Sequence, residues 1–164
     1  MPPRRLNRET ALGTNDLKWM EKALKQAQDS FDQGVLPIGS VLVRHRPGGE
    51  DELLGEGHNQ RVQEGDPIAH GEMDCIRKAG RQRTYRDTTI YTTLSPCMMC
   101  SGTIVQFRIP KVVIGENRNF GGNEEFLRGN GVEVVILDDE KCAALMARFI
   151  AEQPEVWNED IGEE

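Results

Sequence analysis

Four residues near the middle of the chain have the types and spacing of a metal site beside an acid. Cys97 and Cys100 are three residues apart at the start of a predicted helix, so both sulfurs face one side. The positive end of a helix favours the thiolate, which is the form that binds metal. His70 and Glu72 lie at the start of another predicted helix. Residues two apart in a helix point in nearly opposite directions, so these two can share a site only beyond the N-terminal end of the helix.

One imidazole and two thiolates suit zinc, and three protein ligands leave a fourth position for water. We therefore predict one catalytic zinc ion per chain, held by His70, Cys97 and Cys100. Zinc bound in this way activates water near neutral pH. Glu72 is then predicted to be the catalytic residue, which takes a proton from the water and passes it to a leaving nitrogen.

A Cys-x-x-Cys pair alone also fits a structural zinc site or a redox pair. A structural site usually needs a second close pair of ligands, and the sequence has none. A redox pair would leave His70 and Glu72 unexplained. Cys75 and Cys142 are isolated in apolar helical patterns and are predicted to lie in the core. His58 lacks the helix-start context and is predicted to be structural.

Hydrophobic periodicity predicts the elements that position these residues. A capping signal at residues 14–16 precedes a helix, ended by Gly34, whose apolar face is Leu17, Met20, Leu24, Ala27 and Phe31. Strands are predicted over residues 39–44, 53–59, 88–94, 111–115 and 132–137. Further helices are predicted over 69–79, 96–107 and 139–152, a short helix can form inside 117–130, and an acidic tail follows Pro154.

Helices alternating with short apolar strands predict an α/β sandwich with one sheet covered on both faces. The first two strands look hairpin-linked, so the sheet is predicted to be mixed. Residues 1–13 are polar and aperiodic and are predicted to form a flexible N-terminal arm.

Composition restricts the class of protein. The chain has 164 residues with 27 acidic and 20 basic side chains, and its net charge of −7 disfavours nucleic acid or an anionic membrane as partner. No apolar run approaches the roughly 18–20 residues that span a bilayer. The basic residues 1–5 are not followed by an apolar stretch, so no secretory signal is predicted. Four cysteines are too few for a disulfide scaffold, and a cytoplasmic location is predicted.

The sequence resembles the cytidine-deaminase-like superfamily of zinc enzymes and, within it, the fungal type of cytosine deaminase. A His-x-Glu followed about 25 residues later by Pro-Cys-x-x-Cys is typical of zinc nucleobase deaminases. The resemblance runs from near residue 15 to the C-terminus, and its carrying stretches are residues 37–39, 57–59, 70–72, 92–97, 115–117 and 157–162. Met98 departs from the pattern, because an acidic residue is familiar at that position.

The resemblance implies a three-layer αβα sandwich with a central mixed five-stranded sheet, and a single zinc deaminase domain over residues 14–164. It also implies a homodimer that converts free cytosine to uracil and ammonia, as in pyrimidine salvage. The implied zinc ligands and proton shuttle are the four residues described above. The substrate-binding residues predicted with them are Asn59, Asp160, Gly71, Ser95, Ile38, Phe120 and Trp157.

Some alternatives stay open on residue type alone. Asn59 fits either a base contact or a turn at a strand end, and Phe120 and Trp157 fit either stacking walls or a satellite core. Residues 157–162 are predicted to close over the zinc pocket when a base enters, with Asp160 accepting a hydrogen bond from the base.

Other functions share these motifs. A nucleic-acid deaminase resembling tRNA adenosine deaminases has both zinc motifs, but the acidic charge disfavours it. The same reaction on guanine, isocytosine or creatinine is a further alternative. A catalytically inactive, zinc-stabilised binding subunit is disfavoured, because a scaffold needs no proton shuttle at Glu72.

Overall fold

The computed structural model describes residues 14–163, and the predicted arm over residues 1–13 lies outside this range. The strands in it are β1 Gly39–His45, β2 Asp51–His58, β3 Thr88–Leu94, β4 Lys111–Glu116 and β5 Glu133–Ile136. The helices are α1 Thr14–Asp32, α2 Gly71–Ala79, α3 Met98–Gln106, α4 Glu124–Gly129, α5 Glu140–Glu152 and α6 Pro154–Asp160.

The strands form one mixed sheet in the order β2-β1-β3-β4-β5. β1 runs antiparallel to β2 and β3, whereas β4 is parallel to β3 and β5 is parallel to β4. Every residue of the central strand β3 is buried, which suits its β-branched sequence TTIYTTL. The predicted mixed five-stranded sheet is confirmed.

Helices cover both faces of the sheet, which confirms the three-layer αβα sandwich. Side chains alternate along β1, so Val41 and Val43 pack into the core beneath α1, and Leu42 packs into the core on the opposite face. Cys142 of α5 joins the first core, and Cys75 of α2 joins the second. Both cysteines are therefore core residues, as predicted from their apolar surroundings.

The predicted apolar face of α1 is confirmed apart from its first residue. Met20 and Ala27 are buried, and Leu24 and Phe31 are partly buried against the core. The prediction for Leu17 is wrong, because this side chain is 39% exposed. Trp19 is buried in its place, and its Nε1 donates a 3.2 Å hydrogen bond to Asp51 Oδ2.

Two element boundaries near the predicted site also differ from the sequence prediction. Pro96 precedes the N-cap Cys97 and is not itself the first residue of α3. The residues after Gln153 form the helix α6 rather than an extended acidic tail, with Pro154 in the first turn, where a proline is tolerated. A second helix at the C-terminus thus continues directly from α5.

Within residues 14–163, no helix combines the length and the apolar character that a membrane crossing needs. The longest, α1, has 19 residues and carries several charged side chains.

Candidate active site

The predicted metal ligands meet where two helices begin at one edge of the sheet. His70 is the N-cap of α2, Cys97 is the N-cap of α3, and Cys100 lies in the first turn of α3. Their ligand atoms all lie within 4.8 Å of one another. No other group of His, Cys, Asp or Glu side chains within residues 14–163 forms such a cluster. His58 lies outside it, and its Nδ1 is 2.9 Å from the carbonyl oxygen of Asn59.

The spacing of these donors fits zinc. Tetrahedral zinc with ordinary bond lengths to nitrogen and sulfur places the two donor atoms about 3.6 Å apart. His70 Nδ1 and Cys97 Sγ are 3.4 Å apart. The backbone N–H of Cys100 donates a 3.5 Å hydrogen bond to Cys97 Sγ, which holds that sulfur at the helix start. One histidine and two cysteines leave the fourth position of the tetrahedron for water or substrate.

Cys97 and His70 stabilise each other in their charged forms. Hydrogen bonds from Cys100 and His70 outweigh burial and bring the pKa of the Cys97 thiol down to about 4. Burial by itself would lower the pKa of His70, but the hydrogen bond to Cys97 and the carboxylates of Asp160 and Glu72 raise it to about 9. Because zinc binds the neutral imidazole, metal loading would release the His70 proton.

Glu72 lies beside the ligands and is shielded from bulk solvent. Its side chain is 3% exposed, and its Oε1 accepts a 2.7 Å hydrogen bond from the hydroxyl of Thr92. Burial, followed by the negative charge of Cys97, raises the pKa of the Glu72 carboxyl. A carboxyl with a raised pKa can take up and release a proton near neutral pH.

A small cavity lies against this cluster. Its polar lining consists of His70, Glu72, Ser95, Cys97 and Asp160. Its apolar lining consists of Ile38, Leu94, Phe120, Trp157 and Ile161. Apolar walls with a few convergent polar groups are typical of small-molecule sites.

The helix α6 brings Asp160 into this cavity. Asp160 Oδ1 lies 3.6 Å from His70 Nε2, on the side of the imidazole away from Cys97. The same Oδ1 accepts a 2.9 Å hydrogen bond from Asn59 Nδ2. Burial raises the pKa of Asp160, although His70 and Asn59 act in the opposite direction.

The C-terminal segment forms part of the cavity wall. Trp157 is 6% exposed and packs with Leu36, Leu94 and Phe149. The Phe120 ring meets it edge to face, with ring centroids 6.1 Å apart. The segment therefore lines the pocket that it was predicted to cover, and its closure on entry of a base stays a prediction.

Eight of the eleven predicted site residues line the cavity: Ile38, His70, Glu72, Ser95, Cys97, Phe120, Trp157 and Asp160. Cys100 belongs to the metal cluster just behind it. Asn59 is fully buried, with its Oδ1 accepting from the Arg61 N–H and its Nδ2 bound to Asp160, so it acts on the cavity through that carboxylate.

Gly71 supports the cavity wall rather than lining it. A Cβ on this residue would lie 3.0 Å from the carbonyl oxygen of Ile38 and 3.2 Å from its Cγ2. The absence of a side chain lets the start of α2 approach Ile38 closely, and this approach sets one apolar wall beside the metal ligands.

Sequence reasoning missed two polar residues that position the site. Thr92 could have been found from strand alternation, because it lies two residues before Leu94 on the same face of β3. Glu124 is buried at the start of α4, where its Oε1 accepts a 2.9 Å hydrogen bond from the Ser95 hydroxyl. No local signal distinguishes it from the neighbouring Glu125, whose side chain is 87% exposed.

Three ligands of the type that bind zinc, beside a buried carboxyl, form the arrangement of a hydrolytic zinc enzyme. The family whose model matches residues 13–116 is the cytidine and deoxycytidylate deaminase zinc-binding region, and the match includes Glu72 and all three metal ligands. The chain belongs to this family and is a zinc-dependent hydrolytic deaminase.

Relatives of known name agree with this assignment. The chain is 52% identical over 151 residues to a cytosine deaminase of Candida albicans, covering 91% of this chain and 98% of the relative. It is 38% identical over 127 residues to a tRNA-specific adenosine deaminase of Streptococcus pyogenes, covering 75% of this chain and 72% of the relative. A solved structure of a tRNA:A34 deaminase has a TM-score of 0.67 and 26% identity, covering 79% of this chain and 99% of that one.

Proposed function

We propose that this enzyme deaminates a free nucleobase, with cytosine as substrate and uracil and ammonia as products. The observation that carries the proposal is the small cavity beside the metal ligands, to whose wall α6 contributes Trp157 and Asp160. Only ten of the described residues line it, and they combine apolar walls with a few convergent polar groups. It therefore suits a single ring. The 52% identity to a cytosine deaminase supports cytosine as that ring.

The chemistry divides between the metal and one carboxyl. Zinc held by His70, Cys97 and Cys100 would supply an activated water for the hydrolysis. Glu72 lines the same cavity and is the group placed to move protons. We assign to it two proton transfers: the first carries a proton from the water to a ring nitrogen, and the second carries the remaining water proton, from the hydroxyl added to the ring carbon, to the amine. The C–N bond then breaks and ammonia leaves. Thr92 is a positioning residue, because its hydroxyl fixes the Glu72 carboxylate.

The base would be held in its plane by polar groups and on its faces by apolar ones. Asp160 offers a buried carboxylate that can accept from a ring N–H or an exocyclic amine. Asn59 orients this carboxylate through the hydrogen bond from its Nδ2. Ile38, Phe120 and Trp157 form the walls, and Ser95 lies on the polar side.

A tRNA adenosine deaminase is the second candidate, because relatives with that activity share the zinc region. The base-binding residues proposed here disfavour it. The family match ends at residue 116, whereas Phe120, Trp157 and Asp160 come after it. The segment that carries Trp157 and Asp160 lines the cavity where a polynucleotide would have to enter, and it is acidic.

The proposed assembly is a homodimer in the cytoplasm, acting in pyrimidine salvage. Two features of α3 support the proposal that a second copy of the chain is the partner. Its sequence MMCSGTIVQ has no charged residue, and its Met98 is 54% exposed. Cys97 and Cys100 are proposed metal ligands, and Cys75 and Cys142 lie in separate cores. These positions support a reducing compartment.

The test is ammonia release by the zinc-loaded protein from cytosine, 5-methylcytosine, guanine, adenine, creatinine and cytidine. Cytosine should give the highest kcat/KM, and cytidine should be inert because its sugar does not fit beneath α6. A stem-loop RNA containing the wobble adenosine is tested beside the panel. Deamination of that RNA by a protein inert toward free cytosine would replace the proposal with the tRNA activity.

A further inference from the structure

A groove far from the cavity is lined by five arginines. It lies where α2 ends at Ala79 and α3 ends at Gln106, so it is at the opposite ends of the two helices that begin at the metal ligands. The arginines are Arg77, Arg81, Arg83, Arg86 and Arg108. No acidic residue lines the same surface. We call this surface the arginine groove.

Most of these guanidinium groups lack a carboxylate partner. Arg77 pairs with Asp66 at 3.2 Å and with Glu64 at 3.6 Å. The other four are exposed, and their side chains form no ion pair with any residue in the described range 14–163. Residues 1–13 contain three arginines and one glutamate, so their composition would not neutralise the groove. Several unpaired like charges on one concave surface favour binding of an anion.

The groove also presents an aromatic ring. Phe107 is 46% exposed at the end of α3, although large apolar rings usually find cover. The buried Tyr85 supports it from below, with ring centroids 5.4 Å apart. The groove therefore combines an aromatic ring that can stack on a base with guanidinium groups that can donate hydrogen bonds to phosphate.

We propose that the arginine groove binds a phosphate-bearing nucleotide, with its phosphates on the arginines and its base on Phe107. Arginine suits this role because its planar fork donates two parallel hydrogen bonds to phosphate. The chain has a net charge of −7. Because the groove contributes five positive charges, all the other residues together carry a net charge of −12. That negative surround disfavours a long polynucleotide and leaves a ligand that fits within the groove.

The test is isothermal titration calorimetry on the zinc-loaded full chain at about 50 mM salt, where screening is weak. The probes are UTP, uridine, inorganic triphosphate and a single-stranded U20 oligonucleotide. UTP should bind at least about tenfold more tightly than either uridine or triphosphate alone, since it engages both the arginines and the ring. Binding should weaken as salt is raised.

Variants separate the groove from general charge effects. Arg81→Gln, Arg83→Gln and Arg86→Gln combined should weaken UTP binding about tenfold or more. The control combines Arg46→Gln, Arg128→Gln and Arg148→Gln, three exposed arginines that lie elsewhere and pair with surface carboxylates. It removes the same charge and should change binding by about twofold or less. Phe107→Leu should weaken UTP binding about fivefold or more and leave triphosphate binding unchanged.

Three results would overturn the proposal. They are absence of UTP binding at millimolar concentration, an equal loss in the control variant, and oligonucleotide binding far tighter than UTP binding. If triphosphate bound as tightly as UTP, the base would contribute nothing to binding. The groove would then not be a nucleotide site, and the proposal would be overturned. Melting temperatures of all variants are measured so that a binding loss is read only from folded protein.

Discussion

The amide of Asn59 donates a 2.9 Å hydrogen bond to the carboxylate of Asp160, 101 residues further along the chain. A second contact joins the same two segments, because Arg61 Nη1 forms an ion pair with Glu159 Oε1 at 2.7 Å. The end of α6 is therefore attached at two adjacent points to the segment that follows β2. One attachment is buried inside the site, and the other is on the surface.

The two adjacent acids Glu159 and Asp160 are therefore expected to have different roles. Asp160→Ala should lower kcat/KM for the free base by about 10²-fold or more, because it removes a buried acceptor that faces the base. Glu159→Gln is the matched control, since it removes only a surface ion pair worth about 1 kcal/mol or less. Steady-state kinetics of both variants decide the matter. Near-normal kcat/KM for Asp160→Ala would remove Asp160 from the site.

Trp157 should contribute to stability as well as to the cavity wall. The structure buries this indole among Leu36, Leu94 and Phe149. Trp157→Ala should lower the free energy of unfolding by about 3–5 kcal/mol, as large core truncations do. Urea denaturation measures the change. Phe126→Ala is the control, because that ring is 38% exposed and its loss should cost less than about 1 kcal/mol.

The sequence predicted the framework of the fold because the strands and long helices have regular apolar periods. β3 was located residue for residue, since TTIYTTL is β-branched and bounded by polar segments. The short helix α6 was missed because its sequence PEVWNED is acidic and buries only Trp157. This helix is held by the burial of Trp157 in the core and by the hydrogen bond between Asp160 and Asn59. Both are tertiary contacts, which the local sequence does not reveal.

The cluster of proposed metal ligands was predictable for a different reason. His70, Cys97 and Cys100 have chemistry that few other arrangements explain, and each lies at a helix start that the sequence marks. Thr92 and Glu124 have ordinary residue types, and their roles depend on which strand or loop faces them. Such roles follow only from the three-dimensional arrangement, as in the hydrogen bond from Ser95 to Glu124.

Glu72→Gln should retain zinc and fold but lose about 10²–10⁴-fold or more in kcat, since the amide cannot carry the proton. Zinc analysis and single-turnover kinetics test this. Thr92→Val is the companion variant, because it removes the 2.7 Å hydrogen bond to Glu72 without altering the carboxyl. It should cost less than Glu72→Gln. A Glu72→Gln enzyme that keeps a tenth of the original kcat would show that another group moves the proton.

The four cysteines should divide into two classes. Cys97→Ala and Cys100→Ala should each lose zinc and lower the melting temperature, because the metal ties the start of α2 to the start of α3. Cys75→Ala and Cys142→Ala should keep about one zinc per chain and lose only core packing. Metal analysis of the purified variants distinguishes the classes. Zinc loss from Cys75→Ala, or two zinc ions in the unmodified protein, would contradict the assignment.

Glu124 should stabilise the loop that carries Phe120, and its effect should depend on pH. Its Oε2 accepts a 2.8 Å hydrogen bond from the Gly122 N–H, and its Oε1 accepts from Ser95 and Asn117. Burial disfavours the charged carboxylate, but these donors outweigh it and hold the pKa of Glu124 below its usual value of 4.5. A depressed folded-state pKa means that the carboxylate stabilises the fold above the unfolded pKa. That stability is lost as the pH falls through the folded value.

Glu124→Gln should therefore lower the free energy of unfolding by about 1–3 kcal/mol at pH 7, and the difference from the parent protein should shrink below about pH 4.5. Urea denaturation of both proteins between pH 7 and about pH 3.5 gives the difference at each pH, and acid effects on the metal ligands cancel because the two proteins share them. Glu125→Gln is the matched control, since it removes an exposed acid paired only with Arg128. It should show a small difference at every pH. A Glu124→Gln deficit that stays constant from neutral to acid pH would mean that the charge of this carboxylate does not hold the loop.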